Sequence, residues 1–297
     1  MSLDIVTGPL LIGTWANSLL YTAELFEIKY YFSHFRNDEW KLKTLVIVAF
    51  LIDTVSTLGD YACVYLYTIT HAGDPAYLAD QHWPIPLYIF TTAVIAILVQ
   101  SYLALRYWRF KNIAVTLIIL FLIITAFGVI CAIGVFIALF PAVKVRYKVE
   151  IAAGIWLVTE AVTDLSISAA LLWEFRKARR NLIETQRPLN GALDRLVAVT
   201  IQTGTVTATI AVAALIAYLL KQESNIGVGF GFTLGRAYML SMLANLNVRR
   251  SGKSPSSTGR SPGRMPMTFG TMSTDDPGTI RASFLLGLFR LRAEFVM

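Results

Sequence analysis

The stretch LIDTVSTLGDYACVYLY, residues 51–67, reads as oily helix interrupted by two aspartates, Asp53 and Asp60. The apolar segment around it runs from 44 to 69, long enough to cross a hydrocarbon core, which takes about 20 apolar residues in helical form. A carboxylate at the bilayer centre costs about 2.5 to 3.5 kcal/mol on insertion scales, so both aspartates must face something other than lipid. Seven residues advance a helix by about 700°, which leaves the two within about 20° of one face and about 10 Å apart along the axis.

The rest of the chain has the same character. Of 297 residues, 56% are hydrophobic and 15% charged, too oily a balance for a soluble fold that must also cover its surface. Seven windows are long enough to span, near 7–31, 44–69, 84–106, 112–140, 150–174, 193–220 and 226–246. The expected fold is therefore all-α, a polytopic membrane protein with seven transmembrane helices.

Orientation follows from the basic residues. The loops after the first, third and fifth spans carry three (Arg36, Lys41, Lys43), three (Arg106, Arg109, Lys111) and five (Arg176, Lys177, Arg179, Arg180, Arg187), and the tail beyond 247 carries eight, nineteen in all. The opposite side carries four: Lys144, Arg146, Lys148 and Lys221. The positive-inside bias places the N-terminus outside and the C-terminus in the cytoplasm. The basic pI is largely this asymmetry, which fits anionic inner-leaflet lipid and gives no reason to expect nucleic acid. No basic region precedes the first span and Asp4 is negative, so that span is expected to be retained and not removed as a signal peptide.

Residues 251–278, SGKSPSSTGRSPGRMPMTFGTMSTDDPG, hold too few core-forming side chains to fold and are expected to be a disordered Ser/Pro/Gly-rich tail. Residues 279–297 form a short basic segment, either an amphipathic surface helix or sequence that is not genuinely coding. Cys63 and Cys131 both fall inside spans, where a thiol behaves as a small apolar side chain, and no disulfide is expected.

Several motifs recur in a recognisable order: GPLLIG at 8–13, FLIDT at 50–54, HAGDP at 71–75, LVQSYLALRYWR at 98–109, VTIQTG at 199–204 and LGRAYMLSMLANLNVRR at 234–250. In this order and spacing the chain, from about residue 8 to 250, resembles the fungal seven-helix membrane proteins grouped as domain of unknown function 6534. The resemblance implies a seven-span fold and no established activity.

The intramembrane charges are the candidates for function. In the fifth span, WLVTEAVTDLS places Glu160 and Asp164 four apart, one turn from each other on one face. Arg236 in the seventh span, Glu160 and Asp53 all fall near the midplane, where charges face the bundle interior and pair or are neutralised. Asp53 is the expected partner of Arg236, and a buried ion pair that merely fixes helix register is the competing reading. Glu24 and Glu27 are three apart in the first span, and Glu27 with Lys29 is placed at the interface by snorkelling. Gln100 in the third span and Gln202 near the middle of the sixth add uncharged polar groups. The run TIQTGTVTAT forms one stripe of Thr200, Thr203 and Thr207 and another of Gln202, Thr205 and Thr209. Interhelical hydrogen bonding accounts for the threonines, and a polar cavity between the second, third, fifth, sixth and seventh spans for the charged positions. Asp53, Asp60, Gln100, Glu160, Asp164, Gln202 and Arg236 are thus the candidate ligand- or ion-binding residues. Gly227, Gly231 and Gly235, four apart, suit close helix packing.

Catalytic readings find little support. The three histidines are His34 in one loop and His71 and His82 in another, and only His71, Asp74, Asp80 and His82 could suggest a weak metal site, against the simpler reading of a solvated turn at Gly73 and Pro75. No nucleophile motif occurs, and a retinal Schiff base needs a lysine where this chain has Arg236. The expectation is no enzyme, no cofactor and no metal. A receptor-like sensor ranks first, from seven spans, short outer loops, a basic third inner loop and a long tail. A proton-coupled or small-solute transporter is the alternative, from the acid-rich interior, and a structural membrane scaffold the third. Expected partners are membrane lipid, a small-molecule ligand, and a cytoplasmic protein at 175–192 and the C-terminal tail. The plasma membrane is favoured over an endomembrane.

Overall fold

A computed structural model describes residues 3–108, 113–142, 147–181, 187–220 and 225–250. The expectations for 251–278 and 279–297 lie outside the described residues. Seven long helices occur among those described: α1 (Leu3–His34), α2 (Trp40–Tyr65), α4 (Pro84–Trp108), α5 (Ile113–Leu139), α6 (Tyr147–Asn181), α7 (Arg187–Leu220) and α8 (Ile226–Asn247). A short helix α3 (Pro75–Leu78) lies in the loop before α4. No strand forms among the described residues; a single bridge joins Asp80 to Ala142.

Six of the long helices are long and apolar enough to cross a membrane: α2 with its extension to Thr70, α4, α5, α6 over 151–174, α7 over 197–219, and α8. The chain is an integral membrane protein by this measure. α1 is not among the six, because Pro9, Thr14, Asn17, Ser18 and Glu24 dilute its apolar content. α6 and α7 run well past the spans expected for them, so most of the predicted loop 175–192 is helix, with residues 182–186 outside the described set.

The bundle is oily outside, and its apolar core also encloses charged groups. Ile12, Leu51, Leu58, Phe121, Ile124, Val158, Leu165 and Ile216 are all exposed, while Asp53, Asp60, Glu160, Asp164 and Arg236 are buried. A soluble protein inverts that arrangement; here lipid solvates the apolar surface. Each long helix packs on its neighbour in sequence and α1 closes the ring on α8. α8 also packs on α2 and α4, and it is buried along almost its whole length. It is the axis around which the interior is arranged.

Close packing of α8 depends on glycine, at positions the four-residue spacing only partly identifies. A Cβ on Gly229 would sit 2.6 Å from the Pro9 carbonyl oxygen, and one on Gly13 would sit 2.6 Å from the Gly229 Cα. These are backbone contacts that cannot yield, so α1 and α8 touch chain to chain. Gly231 packs on the Tyr88 ring and Gly235 on Thr92 and Ile95, whereas Gly227 has only ordinary contacts with Tyr218. The tightest approach therefore belongs to Gly229, outside the predicted stripe.

The loop 71–83 is ordered by local chemistry. Gly73 takes a φ of 79°, and Asp74 accepts from the Ala76 and Tyr77 amides at 3.0 and 3.3 Å, with Pro75 opening α3. The Tyr77 ring is stacked between His71 and His82, at 3.6 Å on both sides. Desolvation pushes the Tyr77 phenol above its ordinary pKa, with a smaller push from Cys63. The two imidazoles lie on opposite faces of one ring and do not converge. No group of three His, Cys, Asp or Glu residues is placed to hold a metal ion among the described residues.

Candidate functional site

The buried polar residues form two clusters on opposite faces of α8. Arg236 and Tyr238 are two positions apart, about 200° around a helix, so one points to α1 and α2 and the other to α4 and α6.

The first cluster centres on Arg236. Its Nη1 is ion-paired with Asp53, its Nη2 lies 3.7 Å from Asp60, and its Nε donates to the side-chain Oδ1 of Asn17 at 2.5 Å. The Asn17 amide in turn donates to Asp60 Oδ2 at 3.0 Å. The expected Asp53–Arg236 pair is present, and the shared face of Asp53 and Asp60 is what lets one guanidinium serve both. Asn17 is the residue the sequence did not single out; its one signal is a carboxamide within an otherwise apolar run. Glu24, also fully buried, interacts electrostatically with Arg236, and its two carboxyl oxygens have no hydrogen-bond partner among the described residues. The Arg236 guanidinium carbon lies 6.0 Å from the Tyr21 ring centroid. Three acids thus surround one arginine.

The second cluster centres on Glu160 and Asp164. Gln100 Nε2 donates to Glu160 Oε1 at 3.1 Å and to Asp164 Oδ1 at 3.3 Å, and the Tyr238 hydroxyl donates to Asp164 Oδ2 at 2.8 Å. The i, i+4 spacing predicted that the two acids share a face, and Gln100 clamps them from α4. Tyr238 could not have been chosen from thirteen tyrosines by sequence. Among the described residues no Lys, Arg or His side chain pairs with either acid; the groups facing them are Gln100, Tyr238 and Thr207. Arg236, the one cation in the core of α8, is committed to the other face.

Gln202 belongs to neither cluster. It is exposed on the outer face of α7, as are Thr205 and Thr209, whereas Thr200 and Thr207 are buried. The two stripes predicted on α7 are real, but the one bearing Gln202 faces outward, which corrects its placement in the interior. The outward Thr209 hydroxyl bonds its own helix, to the Thr205 carbonyl at 2.7 Å, which satisfies it in an apolar environment. The inward stripe bonds across helices: Thr200 donates to Asn245 Oδ1 at 3.0 Å and Asn245 Nδ2 donates to Thr203 at 3.3 Å.

Glu27 is also displaced from its expected place. It is buried, and its carboxylate accepts from Asn247 Nδ2 at 2.6 Å, so it anchors the end of α8 and does not snorkel. Beside it Arg249 reaches Asp38 at 2.6 Å and covers the Phe35 ring at 4.9 Å. Arg106 donates to Asn245 at 3.3 Å. The end of α8 that leads into the tail is thus latched to α1, α4, α7 and the α1–α2 connection.

Two voids lie on this side of α8, and the smaller one touches the second cluster. A cavity of about 80 Å³ opens between α4, α5, α6, α7 and α8 at the end of the bundle that carries the 71–83 loop, lined by residues including Gln81, Tyr88, Ile133, Tyr218 and Gly231. Beneath it a void of about 10 Å³ touches Gln100 and Glu160. Ile130 and Trp156 line both, so these two side chains form the floor of one and the roof of the other.

Residues 160–251 match the family of unknown function DUF6534, a stretch that takes in most of α6 and all of α7 and α8. The matched segment holds Glu160, Asp164, Arg236 and Tyr238, and thus helix positions from both clusters. The motifs before residue 160 lie outside it. No curated protein and no solved structure matches the chain.

Proposed function

We propose that the protein is a receptor-like sensor: a seven-span membrane protein, N-terminus outside and C-terminus cytoplasmic, that takes a small molecule into its interior and passes the event to its inner face along α8. The observation that carries this reading is the position of α8. One face holds Tyr238 against the Glu160–Asp164 pair, the opposite face holds Arg236 in the acid cage, and its last turn holds Asn245 and Asn247 in the latch. A ligand that altered the Tyr238–Asp164 contact would bear on all three, since packed interfaces switch between discrete arrangements more readily than they deform. α1 counts as the seventh span because Ile12, Trp15, Leu19 and Phe26 are exposed and its glycine packs on the backbone of α8. The basic inner loops suit the anionic inner leaflet of a plasma membrane, and the basic extensions of α6 and α7 are the natural contact for a cytoplasmic partner.

A carrier is the second reading, and Glu24 is the observation in its favour. A buried carboxylate without a hydrogen-bond partner beside an ion pair is the kind of group that takes up and releases a coupling proton.

The protein in nanodiscs, screened against panels of small amines, carboxylic acids and neutral volatiles by thermal stability, tests the sensor reading. A compound that raises Tm and changes hydrogen exchange in residues 240–250, without accumulating in proteoliposomes, is the expected result. Accumulation driven by a proton gradient would replace the sensor with the carrier, and the absence of any binder from every class would remove the intramembrane site altogether.

A further inference from the structure

The cavity of about 80 Å³ beneath the 71–83 loop differs in chemistry between its two ends. Gln81 lines it from the loop and is held there by its backbone amide, which donates to the Pro141 carbonyl at 2.7 Å. Tyr88 lines it about 6 Å into α4, and Tyr218 about 3 Å before the end of α7. Ile130, Trp156 and Leu234 line it about 12 to 14 Å from the corresponding ends of α5, α6 and α8. An amide and two phenols thus lie toward the loop, and the deep end is hydrocarbon and indole. On the α8 side the wall is bare at Gly227 and Gly231, and a Cβ added at Gly231 would sit 3.0 Å from the Tyr88 ring. A close-packed interior loses stability by keeping such a space unfilled. Among the described residues that line it none is charged, so an ion entering it would leave its hydration for a wall without a counter-charge.

Resting on the sensor reading, whose ligand class it names, we infer that this cavity binds a small neutral molecule with one hydroxyl or carbonyl group, its oxygen toward Gln81, Tyr88 and Tyr218 and its hydrocarbon part on Ile130, Trp156 and Leu234. An amide and a phenol each donate and accept, so they can meet an alcohol or carbonyl oxygen in addition to the bonds they already make. The volume of about 80 Å³ is roughly half that of a 150 Å³ apolar cavity that holds benzene, which sets the hydrocarbon part at a few carbon atoms. The floor is where such a molecule reaches the rest of the interior. Trp156 precedes Glu160, and Leu234 precedes Tyr238, by four positions, about one helical turn. The ligand therefore rests one turn above the cluster of Gln100, Glu160, Asp164 and Tyr238, on two of the helices that form it.

Methyl NMR on the full chain in nanodiscs, with carbon-13 in the isoleucine δ1 methyls, tests this at neutral pH with 1-propanol, propionate and n-propylammonium. Ile130 and Ile133 line the cavity, whereas Ile124 and Ile216 are exposed on the outer surface of the bundle and report alcohol that merely enters the bilayer. We expect 1-propanol to shift the Ile130 and Ile133 methyls along a saturating curve while Ile124 and Ile216 move linearly, and both ions to bind about tenfold or more weakly than the alcohol. Ala153→Phe and Ala214→Leu each fill the wall and should abolish the saturating shift; either carries the test if the other does not fold. Tyr88→Phe combined with Tyr218→Phe should weaken 1-propanol about fivefold, the worth of one hydrogen bond. A linear response at Ile130 and Ile133, saturation that survives the filling variants, an ion that binds as tightly as 1-propanol, or no loss in the double phenylalanine variant would each overturn the proposal. Saturation in the cavity with unchanged hydrogen exchange in residues 240–250 would establish the site and remove the sensor reading. A compound of another class that changed that exchange without shifting Ile130, with 1-propanol silent, would remove the site while the sensor reading stood.

Discussion

The Arg236 cage makes an asymmetric prediction. Arg236 is 1% exposed and answers Asp53, Asp60 and Glu24, whereas each acid answers one arginine. Arg236→Gln therefore strands three carboxylates in the interior, and removal of one partner from a buried pair costs about 3 to 5 kcal/mol. Asp53→Asn leaves the guanidinium with Asp60 at 3.7 Å, where an effective dielectric of about 20 still gives an attraction of about 4 kcal/mol, and with the Asn17 side-chain Oδ1. Its loss should be nearer the value of a single charged hydrogen bond, about 1.5 to 3 kcal/mol. The double variant retains Asp60 and Glu24 without a cation, so it should be less stable than Asp53→Asn alone, yet less damaged than the sum of the single changes by about 1 kcal/mol or more. A double-mutant cycle on protein in nanodiscs, read by reversible unfolding in denaturing detergent, measures all three terms. Equal losses for the two single variants would refute the shared-cation geometry, and a coupling within about 0.5 kcal/mol of zero, the ordinary error of additivity, would refute the pair itself.

Gly229→Ala and Gly13→Ala should each destabilise the bundle by about 1 to 3 kcal/mol through overpacking against backbone, whereas Gly128→Ala, whose added Cβ meets nothing within 4 Å, should not; thermal unfolding of the three decides. A reporter fused after residue 250 and an epitope inserted near Ala76 should lie on opposite sides of the membrane, and finding both on one side would change the number of spans. Truncation after Arg250 should leave insertion and Tm unchanged, because residues 251–278 hold too few core-forming side chains to pack; loss of folded protein would place part of the tail against the bundle. Glu27→Gln, paired with Asn247 at 2.6 Å, should lower Tm and raise hydrogen exchange at the end of α8, and an unchanged exchange pattern there would deny the latch.

Much of this architecture is a matter of periodicity and solvent. Helices were legible because lipid demands long apolar runs, and the inward placement of Asp53, Asp60, Glu160 and Asp164 followed from helical spacing together with the cost of charge in hydrocarbon. Even the Asp53–Arg236 pair could be reached, since depth along each span is fixed by rise per residue. α1 is harder to read: its outward face is apolar but its inward face is polar, and an average over both hides the difference. Gln202 shows the limit of the same logic. Seven helices each have two plausible stripes, and no count of residues says which stripe of α7 turns toward the bundle; packing against α6 and α8 settled that in favour of Thr200, Thr203 and Thr207. The same holds for the division of the interior into two clusters. Sequence supplies an inventory of acids, amides and one central arginine, but angles between helices decide that Arg236 and Tyr238 look away from each other across α8, that Asn17 bridges arginine and aspartate, and that no cation among the described residues pairs with Glu160 and Asp164. Those are contacts between residues up to 219 positions apart, set by the close approach of α1 to α8 and not by any local pattern.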